Sequence, residues 1–150
     1  MDIPPEVAIK ASIKPGSVYY FASPKLHSAG AHYFVVLNIN PITEELIILA
    51  CAHSESKEIR QRNKHNNPAK TLVEVSPTQY PVFTRPTVFD CNNNIFVEKI
   101  EALIERLSQK KLDLKPEMDM ALVKQLRQAV IASRLIAENI KQQLGMGKPT

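Results

Sequence analysis

Up to about residue 90 the apolar side chains fall in short, closely spaced runs, and beyond residue 100 they fall at helical spacing. Residues up to Lys14 form a lead-in, and Pro15-Gly16 reads as a turn, because proline presets one backbone angle and glycine permits the unusual one. Val18 to Ala22, rich in valine and aromatics, predicts a first strand. A loop from Ser23 to Ala31 leads to His32 to Asn38, whose apolar run from Tyr33 to Leu37 fits a strand covered on both faces. Asn40-Pro41 marks a turn, and Leu46 to Ala52 is a third, almost continuously apolar strand. Thr71 to Val75 is a fourth, and Thr87 to Asp90 closes the β-rich half after Pro77, Pro81 and Pro86.

The period then changes. Ile100, Leu103, Ile104 and Leu107 share one face of a short helix. Leu112 to Lys115 reads as a connector. Pro116, followed by Glu117 and Asp119, suits a helix start, because proline loses nothing in the first turn and carboxylates favour its positive end. Leu122, Leu126, Ala129, Ser133, Ile136, Ile140 and Leu144 then form one stripe, with Gly145 as the stop. Short strands followed by helices predict an α+β domain: a small, strongly curved sheet or barrel with the terminal helix packed across it. Residues 1–150 are read as one domain, with a lead-in over 1–14, a β-rich part over 15–90 and a helical part over 100–145.

Composition narrows the class. A chain of 150 residues, 44% hydrophobic and 23% charged, can bury a core without staples. No segment approaches the roughly 18–20 consecutive apolar residues that span a bilayer. The start, Met1 to Glu6, lacks the basic and apolar regions of a signal peptide, so a cytoplasmic chain is expected. Cys51 and Cys91 lie far apart without CxxC spacing and read as reduced, buried thiols. The net charge of +4 is mild, but Lys57, Arg60, Arg62, Lys64 and Lys70 against Glu58 alone account for all of it. That stretch lacks apolar periodicity and reads as a mobile loop, either simply solvated or able to attract phosphate.

The candidate chemistry gathers at strand ends. The four histidines, His27, His32, His53 and His65, fit no local zinc pattern. No glycine-rich phosphate cradle or GxSxG elbow occurs, so neither a metal nor a nucleotide cofactor is expected. His32 opens the second strand, while His53, Ser54, Ser56 and Lys57 leave the third. If those strands are antiparallel neighbours, these groups meet beside the basic loop. Imidazoles can move protons near neutrality, while hydroxyls and cations can hold a phosphate, which suffices to cleave RNA through its own 2′-hydroxyl. They could equally be ordinary polar strand-end residues.

The segment Ile13-Lys14-Pro15-Gly16-Ser17-Val18-Tyr19-Tyr20, followed by a loop and His32-Tyr33-Phe34-Val35-Val36-Leu37-Asn38, resembles the opening of the PemK/MazF family of toxins. Leu46 to Ala52 followed by Ser54-Glu55-Ser56-Lys57 looks like that family's next strand and its threonine/serine cluster. Asp90 and the terminal amphipathic helix also sit in family order. The resemblance implies an SH3-like barrel with helices and a homodimer neutralised by a cognate antitoxin. It also implies metal-independent cleavage of single-stranded RNA. His32 stands where the family has its catalytic arginine, Tyr33 replaces the following proline, and Ser54 stands near the catalytic threonine or serine. His32 and Ser54 are thus the expected catalytic pair, with His53, Ser56, Lys57, Arg60 and Arg62 as substrate-binding groups. Histidine lacks arginine's permanent forked charge. Either His32 works as acid or base while Lys57 or Arg60 supplies charge, or the chain is an inactive or protein-targeting binding module on the same fold. A general nucleic-acid-binding module is the third reading. The burial of Tyr19, Tyr20, Tyr33 and Phe34 in apolar strands counts against it, since few rings are left to stack on bases.

Overall fold

The longest apolar run becomes the axis of the sheet. In the computed structural model, which describes residues 3–26 and 30–145, β3 (Leu46–Ser54) takes partners on both edges. On one edge lies β2 (His32–Val36), antiparallel, with Phe34 opposite Cys51 and Val36 opposite Leu49. Beyond it come β1 (Val18–Phe21) and β7 (Leu112–Lys115), again antiparallel. On the other edge, β5 (Thr87–Asp90) and β6 (Ile95–Lys99) follow one another along β3, and β4 (Leu72–Val75) pairs outside β5. The path β4-β5-β3-β2-β1-β7 is not closed on itself. The α+β class is as expected. The sheet, however, is open rather than a closed barrel.

Alternation along the strands sends side chains to two cores. Val18, Val35, Ile48 and Ala50 pack with Leu122, Val123, Leu126 and Val130 of α5 (Met120–Ala132). On the opposite face Tyr19, Phe21, Phe34 and Leu49 pack with Ile9 of α1 (Pro5–Ser12) and Leu103 of α4 (Ile100–Ser108). The lead-in is therefore a helix: Pro5 occupies its first turn, Glu6 pairs with Lys10, and Ile9 and Ile13 anchor it. Gly16 turns from α1 into β1 at φ +90°, where a Cβ would stand 2.8 Å from the Met118 carbonyl oxygen, so the turn requires glycine.

Three further expectations are corrected. The stretch after Lys57 is ordered as α2 (Lys57–Arg62) and α3 (Pro68–Thr71), not a mobile loop. The Leu112–Lys115 connector is an edge strand. The C-terminal stripe breaks at Ser133, which is extended, before α6 (Glu138–Gln143). Residues 27–29 of the expected loop, with His27, lie outside the described residues, as do 1–2 and 146–150.

Two of these corrections, the ordered α2 and α3 and the break at Ser133, have one neighbour in common. Ala50 pairs with Ile95 and Ala52 with Phe89, so residues 90–94 bulge out opposite Cys51 alone. At the start of that bulge the fully buried Asp90 carboxylate accepts five hydrogen bonds. They come from the backbone of Asn92 and Asn93 and from the side chains of Arg62, Asn63 and Asn93, at 2.8–3.1 Å. Asn92 donates to Thr71 and Asn63 and accepts from Ser133 at 2.6 Å, which joins α3 and the end of α5 to the bulge. Burial pushes the Asp90 carboxyl up, but the bonds from Asn93, Asn63, Arg62 and Asn92 outweigh it and hold the group below its ordinary value. Asp90→Ala leaves the buried Asn63 side chain and Asn92 amide without this acceptor and should cost about 1–3 kcal/mol, read as a shift in the urea midpoint.

Candidate active site

His32 starts β2 and the His53-Ser54 pair ends β3, so the antiparallel pairing of those strands carries all three to one rim of the sheet. The imidazoles of His32 and His53 lie 5.0 Å apart, centroid to centroid, tilted by 55°. Both residues are half-buried and Ser54 is exposed. Consecutive strand residues point to opposite faces, yet His32, His53 and Ser54 all border two clefts, because the strands end there.

The larger cleft, about 490 Å³, is polar and is bordered by Lys25, Ser56, Glu58, Arg62, Asn93 and Asn94 besides the central three. The smaller, about 270 Å³, is lined by Tyr20, Tyr33, Val82 and Phe83 together with Thr84, Arg85 and Thr87.

The remaining expected residues divide. Arg62 stands in the larger cleft, held by Asp90 and by Asn94 at 2.7 Å, and keeps nearly half its side chain exposed. Ser56 borders the same cleft, but its hydroxyl caps α2 by accepting from the Ile59 amide at 3.2 Å. Lys57, in the first turn of α2, borders neither cleft. Arg60 turns away and pairs with Glu55 and Glu74.

Two cations that the sequence reading passed over are Lys25 and Arg85. Lys25 borders the larger cleft and donates to the Val97 carbonyl at 2.7 Å. The exposed Arg85 guanidinium makes no hydrogen bond or ion pair among the described residues. Arg85 lies in a proline-broken segment without periodicity, so nothing in the sequence pointed it at the rim. Lys25 follows a proline in a loop and carried no signal either.

The electrostatics separate the two imidazoles. Burial first, then the neighbouring His32 and Arg62, lower the pKa of His53 to about 4, with Asp90 opposing. His53 is therefore neutral at pH 7, and its Nε2 is buried without a hydrogen-bond partner among the described residues. A neutral imidazole beside a second one can accept a proton while the other supplies one. Both thiols are buried and unpaired, and burial pushes Cys51 up to about 12, which removes it as a nucleophile at neutral pH. Among the described residues no cluster of His, Cys, Asp and Glu could hold a metal ion, and no helix is long and apolar enough to cross a membrane.

No family model matches the chain, and no curated protein matches it. Among solved structures it is similar to a chain of an endoribonuclease in complex with its cognate antitoxin from a mycobacterial species. That match is 14% identical, covers 91% of this chain and 99% of the other, and has a TM-score of 0.51. At that identity the likeness is one of fold, and any chemistry must be argued from the rim itself.

Proposed function

We propose that this chain is an endoribonuclease toxin of the PemK/MazF kind, with its open sheet a variant of that family's SH3-like fold. On this reading it cuts single-stranded RNA without a metal and is neutralised by a cognate antitoxin. A cytoplasmic homodimer belongs to the same proposal. The observation that carries it is the His32–His53 pair, 5.0 Å apart at the junction of two open clefts and flanked by Arg62 and Arg85. The similarity in fold to the mycobacterial endoribonuclease supports the same reading.

The chemistry follows from the groups at the rim. The 2′-oxygen of the RNA attacks the adjacent phosphorus, and the bond to the 5′-oxygen breaks, leaving a 2′,3′-cyclic phosphate and a free 5′-hydroxyl. Neutral His53 takes the 2′-proton, and His32 delivers one to the departing 5′-oxygen. Arg62 and Arg85 offset the charge that builds on the phosphoryl oxygens, and Ser54 hydrogen-bonds to one of them. The arginine that the family resemblance implies at position 32 is thereby replaced by arginines from α2 and from the segment before β5.

Purified protein incubated with a long single-stranded RNA in EDTA should give discrete fragments ending in cyclic phosphate. His53→Ala and His32→Ala should each slow cleavage about 10²–10⁴-fold. Intact wild-type-treated RNA, or His32→Ala cutting at full rate, counts decisively against this function. Growth arrest on expression with no RNA cut would select a protein-targeting module instead.

The pH profile is a separate check. His53 must be unprotonated to accept the 2′-proton, and it gains its own proton only near pH 4. The acid limb of kcat/KM should therefore bend near pH 4, well below the ordinary imidazole value of 6.5. A limb at 6.5 would remove His53 from the role of base.

A further inference from the structure

The two clefts that meet at the imidazole pair differ in kind. The larger is lined mainly by charged, hydroxyl and amide side chains, with Leu26, Ile59 and Phe96 among them. The smaller has an aromatic wall, which the catalytic reading leaves without a role. We propose that the smaller cleft is a nucleobase-stacking subsite in which Tyr20 and Tyr33 hold the base next to the scissile phosphate, so that this wall sets where RNA is cut. The inference rests on the nuclease reading for the phosphate but stands on its own for the base.

Aromatic burial along β1 and β2 is uneven. Tyr19, Phe21 and Phe34 are 1% exposed, whereas Tyr20 and Tyr33 are only half-buried. The register pairs Tyr20 with Tyr33 across the strands, so both rings project from the same face. Their centroids are 4.6 Å apart, and Tyr33 meets Phe83 edge-on at 5.4 Å. Phe83 is itself wedged against Tyr80 at 4.8 Å, and the Tyr80 hydroxyl donates to the Pro116 carbonyl. The wall is thus fixed before any ligand arrives, which keeps the ordering cost of binding low. Ala31 and Ala52, the small side chains bordering the same cleft, leave the room that the rings face.

Size and polarity fit a single base. At about 270 Å³ the space lies just below the roughly 300–1,000 Å³ of sites for drug-sized ligands. A planar base stacks on tyrosine whatever its sequence, and discrimination comes from hydrogen bonds at its edge. Thr84 and Arg85 line the same cleft, and the exposed Arg85 can reach a base or its phosphate. Because His32, His53 and Ser54 border both clefts, a strand with one base in the aromatic cleft has its adjoining phosphate at the imidazoles. The following nucleotide then lies along Lys25 and Arg62 in the larger cleft.

The test separates binding from cleavage with 2′-O-methyl RNA, which lacks the attacking hydroxyl. The chain has no tryptophan and four tyrosines, so its intrinsic tyrosine fluorescence reports the rings directly. A 2′-O-methyl tetranucleotide should quench that fluorescence. Tyr20→Leu and Tyr33→Leu, which keep apolar bulk, should each weaken binding about five- to 150-fold. Tyr20→Phe should bind like wild type, and an abasic tetranucleotide should bind weakly and equally to all variants.

On natural RNA, Tyr20→Leu should also change the set of cut positions. On the unmutated chain, adenosine 3′-monophosphate should move the ring proton resonances of Tyr20 and Tyr33 upfield, so the wall is tested even if a variant misfolds. Unchanged affinity in both leucine variants, equal binding of the abasic strand to wild type, or unmoved ring resonances would each overturn the subsite. Base-dependent binding with no cleavage would overturn the nuclease reading and leave the subsite standing.

Discussion

A buried carboxylate must be satisfied, and the way Asp90 is satisfied determines what surrounds the rim. Its five hydrogen bonds draw in Arg62 and Asn63 from α2 and fold the bulge of residues 90–94 back on itself. Through Asn92 the same network reaches Thr71 of α3 and Ser133 at the end of α5. Left unpaired, that charge would cost several kcal/mol, so the bulge, α2 and the end of α5 settle together or not at all. Without the bulge, β5 and β6 would continue as one strand along β3. With it, β5 and β6 both pair with β3, and Arg62 is brought to the mouth of a cleft beside His53.

This arrangement explains how a mildly charged protein can concentrate cations at one place. Burial and the cations beside it keep His53 neutral. Arg62 lowers the pKa of His53 while its own charge is tethered by Asp90, so the neutral base and the fixed cation arise from one set of contacts. A site built on two strand ends and a short capped helix is more rigid than one built on loops. On the proposed function, that rigidity is what positions a phosphate between two imidazoles.

The sequence revealed the parts governed by local periodicity. β1, β2, β3 and β5 carried their own apolar runs, whereas the helix expected to start at Pro116 starts at Met120, with Asp119 as its cap accepting from the Ala121 amide at 3.1 Å. The meeting of His32 and His53 was legible too, since it needed only two neighbouring strands in opposite senses. What escaped was decided by distant partners. Lys57 to Lys70 looks like a solvated loop because Asn63 and Arg62 are stabilised by a carboxylate near thirty positions away, and no period records that. Ser133 falls on the helical stripe, yet its hydroxyl bonds Asn92 and the helix ends there. Tyr20 and Tyr33 lie inside apolar strands by composition. The folded structure sets them beside the small Ala31 and Ala52 in the lining of an open cleft.

Position 32 brings these threads together. An arginine there would bring a permanent charge to the start of β2, close against His53, and would suppress its protonation without offering a proton of its own. Histidine changes the division of labour: the rim gains a second group able to exchange protons, and the fixed positive charge must come from elsewhere. It comes from α2, where Arg62 is anchored through Asp90, and from the segment before β5, where Arg85 is unpaired among the described residues. Those two arginines border different clefts, and the imidazole pair borders both. On the proposed function, the histidine that stands where the resemblance implies an arginine is matched by cations from two other elements. On that same proposal, the rim holds candidates for the proton acceptor and donor and for the positive charge that phosphodiester cleavage requires.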